Sequence, residues 1–204
     1  MESILEQLRE AGLTAKPSKC QFAMKECIYL GHVVGGGIIR PEVSKVEAVR
    51  RWVVPQTKKQ VRALVGLTGY YQKFIPHYAT IAAALGDLTC KFSLAKTQWS
   101  KVSEKAFQRL KEILCSSPVL HSPCLDKPLI LQTDASNRGV GTVLSQTSGQ
   151  GEEHPIAYFS RKLLPHEVNY STMEECLAMK LGIQASRVYL LGRPFLKFRP
   201  IIIH

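Results

Sequence analysis

Apolar positions along the chain follow a helical rhythm in its first half and mix with an alternating, strand-like one later on. Residues 3–11 place Ile4, Leu5 and Leu8 on one helical face, and Gly12 is placed to end that helix as a C′ residue. Cys20, Phe22 and Met24 alternate with polar neighbours, and the β-branched and aromatic run CIYLGHVV, residues 27–34, predicts a strand. The glycines at 35–37 predict a turn, after which Ile38 and Ile39 resume an extended chain. Pro41 is expected in the first turn of a helix, where its missing N–H costs nothing, with Val43, Val46, Val49 and Trp52 at helical spacing and Pro55 as the stop. Thr57 is the expected N-cap of a longer helix that carries Val61, Leu64, Val65, Leu67 and Thr68 and runs on to Phe74. Ile81, Ala84, Leu85 and Leu88 define a third helix, and Ser103 to Cys115 a fourth that buries Ala106, Phe107, Leu110, Ile113 and Leu114. Residues 41–115 therefore read as a helical bundle with short, proline-marked connections.

The rhythm changes after Pro118. LILQTD (129–134) and VGTVLSQ (140–146) predict a hairpin turning through SNRG, and PIAYFSR (155–161) a third strand. From Ser171 a long helix is expected to carry Leu177, Leu181, Ile183, Val188 and Leu190 to a stop at Gly192-Arg193-Pro194. Phe195 is expected to open a fourth strand that His204 cuts short. The order β-β-β-α-(β) is an α/β pattern, so the fold class is mixed, α+β and α/β.

Composition changes this picture little: 204 residues suit one or two domains, and 45% hydrophobic with 21% charged residues excludes a disordered chain. Charge changes it more. A formal net charge of +11, spread along the chain, favours polyanionic partners and the release of their counterions. The six cysteines form no C-x-x-C pair, and Cys20 and Cys27 lack histidines at zinc spacing, which argues against structural metal and for a reducing, intracellular setting, cytoplasmic or nuclear. No apolar run approaches the ~18 residues of a membrane span, and the charged amphipathic N-terminus is not a signal peptide.

The candidate chemistry is sparse. Lys58, Lys59, Arg62 and Lys73 share a helical segment with Tyr70 and Tyr71, which suits either phosphate contacts or a solvated face with two core tyrosines. Asp134 in T-D-A-S suits an Asx turn, and Glu175, early in a helix, suits a dipole partner. The sequence holds no Asp-Asp pair.

The strings AGLTAKPSKCQF, YLGHVV, GIIRPEVSKVEAV, ALVGLTGYYQKFIPHYATIAAAL, PVLHSP, LILQTDASNRGVGTVLSQ, HPIAYFSRKL, NYST and YLLGRPF, in this order and across nearly the whole chain, resemble reverse transcriptases of gypsy-type, long-terminal-repeat retrotransposons. The resemblance implies a palm remnant with a primer-grip-like hairpin over 1–40, a helical thumb over 41–118 and a truncated RNase H-like β-β-β-α unit over 119–204. It implies nucleic-acid contacts at Tyr29, Gly31 and His32 of YLGH, and at Lys58, Lys59, Arg62, Tyr70, Tyr71 and Lys73 of the thumb helix, toward an RNA–DNA hybrid or duplex. It matches Asp134 and Glu175 to two of the four carboxylates that hold Mg2+ in such nucleases; two alone should bind the ion weakly.

Two departures matter. One residue fewer separates NYST from ECLA than is usual, so Glu174 competes with Glu175 for the matching position. Where the family continues with a strand ending Thr-Asp-His, this chain reads LKFRPIIIH; one permitted codon choice, read in a shifted frame, restores that strand, consistent with a frameshift near Phe195. The expectation is then a degenerate fragment that binds nucleic acid without polymerase activity. The alternatives are a residual RNase H-type hydrolase, a host-reused interaction protein, or a pseudogene product without function. Residues 119–204 are expected to be marginally stable, with an open sheet edge and a tail that invites self-association.

Overall fold

The computed structural model describes residues 2–89, 99–136, 139–164, 167, 174–192 and 196–200. The helix start at Ser171, the stop residues Arg193 and Pro194, Phe195, the tail 201–204, and Asn137 and Arg138 of the first hairpin turn lie outside them. The fold is mixed α/β with two sheets.

Helix α1 (Glu2–Glu10) ends at Gly12, whose φ of +68° is the left-handed C′ conformation expected of it. Strands β1 (Glu26–Tyr29), β2 (His32–Gly35) and β3 (Ile38–Pro41) form an antiparallel meander. The expected single strand over 27–34 is therefore corrected to a tight hairpin that turns at Leu30 and Gly31, both at positive φ, +46° and +69°. A two-residue turn of this hand fits the twist of the flanking strands. Pro41 is also corrected: it closes β3 opposite His32, and Glu42 is the N-cap of helix α2 (Val43–Arg50).

Thr57 caps helix α3 (Lys58–Tyr70) in a reciprocal capping box with Gln60, as T-x-x-Q foretells. The helix stops before Phe74: Tyr71 leaves helical geometry and a 3-10 turn covers Gln72–Phe74, which swings the Tyr71 and Phe74 rings into the interior. Helices α4 (Tyr78–Asp87) and α5 (Lys101–Cys115) complete the bundle. Its core joins Val61, Leu64, Tyr71, Phe74, Leu85, Phe107, Leu110 and Leu114. That core is not private to the bundle. Strand β4 (Leu120–His121) returns to pair with β3, and Leu120 and Ile39 pack into the same cluster, so the first sheet draws on residues well beyond 40.

Strands β5 (Leu129–Ser136), β6 (Gly139–Thr147) and β7 (Glu153–Lys162) pair antiparallel, and β8 (Leu196–Pro200) lies parallel to β5, giving the order β7-β6-β5-β8. A fourth strand thus forms despite the altered tail, and β7 and β8 are the sheet edges. The connection to β8 carries α6 (Glu174–Ala185) and the short α7 (Arg187–Leu190). The continuous helix expected there breaks at Ser186: Val188 is 85% exposed, while Tyr189 and Leu190 reach the cluster of Leu129, Leu131, Leu144 and Ile156. Gly182 sets α6 against the sheet, since a Cβ there would stand 2.8 Å from Thr142 Cγ2.

Alternation along β5 sorts its side chains between two faces. Leu129, Leu131 and Ala135 face α6 and α7, so Asp134 faces the opposite way. On that opposite face the bundle is docked: Tyr158 of β7 packs into the bundle core, and the Ala79 N–H donates to Ser160 Oγ at 2.7 Å.

Truncating Phe107 to Ala should cost about 3–5 kcal/mol, the usual range for a buried aromatic. Urea unfolding monitored by hydrogen exchange should show protection lost in β7 as well as in α5, because Tyr158 shares the cluster.

Candidate nucleic-acid interface

The YLGH turn cannot hold itself. Leucine in the left-handed region is strained by its Cβ, and contacts from outside the hairpin help to keep Leu30 there. Those contacts come from the end of α3. The Tyr70 hydroxyl donates to the Leu30 carbonyl, and the Tyr71 hydroxyl donates to the Gly31 carbonyl at 2.8 Å. The Gly31 carbonyl also accepts from the Glu42 N–H at 3.1 Å. Gly31 is required twice over: its φ is positive, and a Cβ would press on the Tyr71 hydroxyl at 3.3 Å.

His32 sits under this latch, buried to 8% exposure, with ring centroids 5.3 Å from Tyr70, 5.4 Å from Tyr71 and 5.7 Å from Phe74. Its Nδ1 lies 2.8 Å from the Leu30 carbonyl, which requires Nδ1 to carry a proton. Nε2 is buried with no partner among the described residues. Burial holds the imidazole below its ordinary value of 6.5, and the positive charge of Lys73 lowers it further. Burial likewise lowers Lys73, whose ammonium lies 5.4 Å from the Phe74 ring centre, and pushes the Tyr71 phenol up to about 12, so that it stays a donor.

Two sequence expectations are corrected here. Tyr71 is 2% exposed and His32 is nearly as covered, so neither presents a ring at the surface; both pack beneath the turn. Tyr29 and Tyr70 remain exposed beside the turn.

Along α3, positions 59, 62, 63, 66 and 70 fall on one side at 3.6 residues per turn, and all five are exposed. This face reads Lys59, Arg62, Ala63, Gly66, Tyr70. Arg62 also donates to the Thr89 carbonyl at 3.2 Å, and Lys58 lies half-buried at the helix start. Gly66 carries information that the sequence reading missed. A glycine in mid-helix costs about 0.5–1 kcal/mol relative to alanine, and nothing lies within 4 Å of where its Cβ would be, so packing does not require it. The signal was present as an unexplained glycine inside a helical pattern.

The nuclease-type carboxylates lie apart from this face. Asp134 is on the bundle side of the second sheet, its side chain 12% exposed, with His77 Nδ1 3.6 Å from its Oδ2. Glu175 is exposed in the first turn of α6, on the other side of the sheet, and the Glu174 side chain lies outside the described residues. Among the described residues no group of three or more His, Cys, Asp or Glu is arranged to hold a metal ion. The residues present do not fit a two-metal carboxylate centre.

A four-stranded sheet in the order β7-β6-β5-β8 with a helical crossover is an RNase H-like arrangement, here joined to a helical bundle and a latched hairpin. Residues 99–196 match the RNase H-like domain found in reverse transcriptase. The chain is 41% identical over 197 residues to the retrovirus-related Pol polyprotein from transposon 297 of Drosophila melanogaster, covering 96% of this chain and 18% of that protein. It is 38% identical over 204 residues to the corresponding polyprotein from transposon opus of the same fly, covering 95% and 20%. Its fold superposes on the foamy viral protease-reverse transcriptase dRH in complex with double-stranded DNA with a TM-score of 0.79 at 19% identity, over 100% of this chain and 35% of that one. The same viral enzyme in complex with an RNA/DNA hybrid gives 0.78, also at 19% identity, over 100% and 27%. Residues 99–196 are an RNase H-like domain of the kind found in reverse transcriptase, the chain's homologues are retrotransposon Pol polyproteins, and the chain spans about a fifth of the length of these two relatives. No helix of the described residues is long and apolar enough to cross a membrane.

Tyr71→Phe should lower stability by about 1 kcal/mol, the worth of one buried hydrogen bond, and hydrogen exchange should rise first at residues 29–32. Acid should act through His32. Its folded-state value is depressed, so the neutral ring contributes stability above pH 6.5 that is lost as pH falls below it and the unfolded chain takes up the proton. The urea midpoint should therefore drop between about pH 7.5 and 5.5, and less steeply in His32→Phe.

Proposed function

We propose that the chain binds double-helical nucleic acid, an RNA–DNA hybrid or a duplex, along the exposed face of α3 beside the YLGH turn, and that it neither synthesises DNA nor cleaves the hybrid by itself. One observation carries this: the exposed α3 face sets Lys59 and Arg62 against a bare strip at Ala63 and Gly66, ending at Tyr70. A helix with a missing side chain between cations and an aromatic lets a sugar–phosphate backbone lie against its main chain. Cations fix phosphates, and Tyr70 offers a sugar contact. The net charge of +11 supports the reading through long-range attraction. The viral neighbours held double-stranded DNA and an RNA/DNA hybrid, which supports the choice of a helical ligand.

The absence of catalysis rests on residues. Two-metal phosphoryl chemistry needs several carboxylates converging on one point. The 204 residues contain no Asp-Asp pair and no aspartate after Asp134, which is itself covered by the bundle. Asp134 and Glu175, the two matches to the family's Mg2+ ligands, lie on different sides of the sheet, which disfavours tight Mg2+ binding.

Fluorescence anisotropy with a labelled RNA–DNA hybrid should show affinity falling steeply with salt. Lys59→Gln and Arg62→Gln should each reduce the slope by about 0.9, one phosphate contact apiece. Gly66→Ala should raise stability by about 0.5–1 kcal/mol while weakening hybrid binding; tighter or unchanged binding refutes the α3 face. Incubation with Mg2+ or Mn2+ should leave the hybrid intact. Metal-dependent cleavage that disappears in Asp134→Asn would instead establish a residual hydrolase.

A further inference from the structure

A largely exposed segment, residues 122–128, carries the chain from β4 of the first sheet to β5 of the second. Leu125, its one large apolar residue, is 73% exposed, so polar contacts must fasten it. The Ser122 N–H donates to the Gly37 carbonyl at 2.8 Å. Gln146, buried on β6, accepts from the Cys124 N–H at 2.8 Å and donates to the carbonyls of Cys124 at 3.0 Å and Lys127 at 2.9 Å. Beside these fastenings His121, at the end of β4, stacks on His154 of β7, with ring centroids 4.2 Å apart and planes 24° from parallel. His154 lies opposite Gln146 in the sheet register. One stacked pair therefore joins the edge strand of the first sheet to an edge strand of the second.

Both rings are partly buried. Two neutral imidazoles stack without charge repulsion, and so does one imidazolium on a neutral ring. Glu152 Oε2 stands 3.7 Å from His154 Nε2 and favours the first proton there. A second proton sets two like charges face to face, which disfavours the stack. The other charged groups on the surrounding elements are Arg40 of β3, 2.6 Å from Glu26, and Glu153 of β7, which meets Gln132, Ser145 and Arg199, with Asp126 and Lys127 in the segment itself. We propose that the His121–His154 stack is a proton-sensitive joint, which holds the segment connecting the two sheets against β7 while at most one ring is charged and releases it when both are. Burial, and after it the charge of His154, hold the His121 imidazole below its ordinary value of 6.5. The neutral His121 ring therefore contributes to closure of the joint above pH 6.5, and that contribution is lost as pH falls below it and the opened segment takes up the proton. The proposal is independent of duplex binding by α3, because it concerns only the connection between the sheets.

The test is amide hydrogen exchange of the full chain, followed by NMR between about pH 7.5 and 5.5. It is run with and without His32→Phe, so that the ring under the hairpin turn is accounted for separately. After correction for the pH dependence of intrinsic exchange, protection of the Ser122 and Cys124 amides should fall several-fold with acid, while that of Leu131 in β5 holds. His154→Phe and His121→Phe each keep a ring in the stack and remove one charge, and either should flatten the fall. The His121 ring protons should titrate below 6.5 and move upward in His154→Gln. A fall of the same size in the Phe variants, no fall in the parent protein, or a His121 titration unmoved by His154→Gln would each overturn the joint. Should one Phe variant not fold, the other variant and the ring titration of the parent protein decide.

Discussion

The helical bundle meets both sheets in one shared apolar cluster. Phe74, Phe107, Leu110 and their neighbours are not the private core of a helical bundle. Ile39 and Leu120 enter the cluster from the first sheet, and Tyr158 enters it from the second. A four-stranded sheet made of short strands has little interior of its own, and the bundle alone would leave two apolar flanks open. Each part therefore finishes burying its surface only against another. The consequence is positional: the hairpin turn, the α3 face and the Asp134 face are held in fixed relation by packing rather than by charge.

The latch at Leu30 and Gly31 shows how that packing is converted into a functional shape. A two-residue turn with leucine in the left-handed region is unfavourable by itself, and two phenol hydroxyls 40 residues away hold both of its carbonyls. Because α3 stops at Tyr70 and the next turn tightens, Tyr71 faces inward while Tyr70 stays at the surface. One pair of adjacent tyrosines thus serves two purposes, and the same helix carries the basic, bare face proposed to meet the nucleic acid. Strain at the turn, the buried neutral His32 and the exposed Gly66 are all local departures from best stability, gathered around a single surface.

Much of this was legible in the sequence, because local rules govern it. The Thr57 capping box, the bundle residues Phe107, Leu110 and Leu114, the three antiparallel strands and the Gly12 stop follow from periodicity and cap chemistry. What was not legible depends on partners distant in sequence. CIYLGHVV has the composition of one strand, and contacts from Tyr70, Tyr71 and Glu42 to its middle help to make it two. Pro41 has the look of a helix start until β2 is known to lie opposite it. The helix break at Ser186 is set by the need of Tyr189 and Leu190 to reach Leu129 and Leu131, which a period count places elsewhere. Of the candidate site, residue identities at Lys59, Arg62 and Tyr70 were readable. The burial of Tyr71 and His32 was not, nor was the choice of sheet face for Asp134.

Asp134 is where family resemblance and physical setting diverge most. The motif T-D-A-S matches a metal-binding strand end, and the resemblance assigns the side chain to a cation. Yet strand alternation turns it toward the bundle, and the side chain it meets is an imidazole from a helix cap rather than another carboxylate. A carboxylate covered to this degree is tolerated only with polar company, since isolated burial of the charge is costly. His77 supplies that company from the bundle, and Gly141 leaves the space for its ring. The Tyr158 and Ser160 contacts that join the two halves of the fold hold that arrangement in place. Packing that stabilises the whole molecule therefore fixes the surroundings of the carboxylate to which the family's chemistry would be assigned.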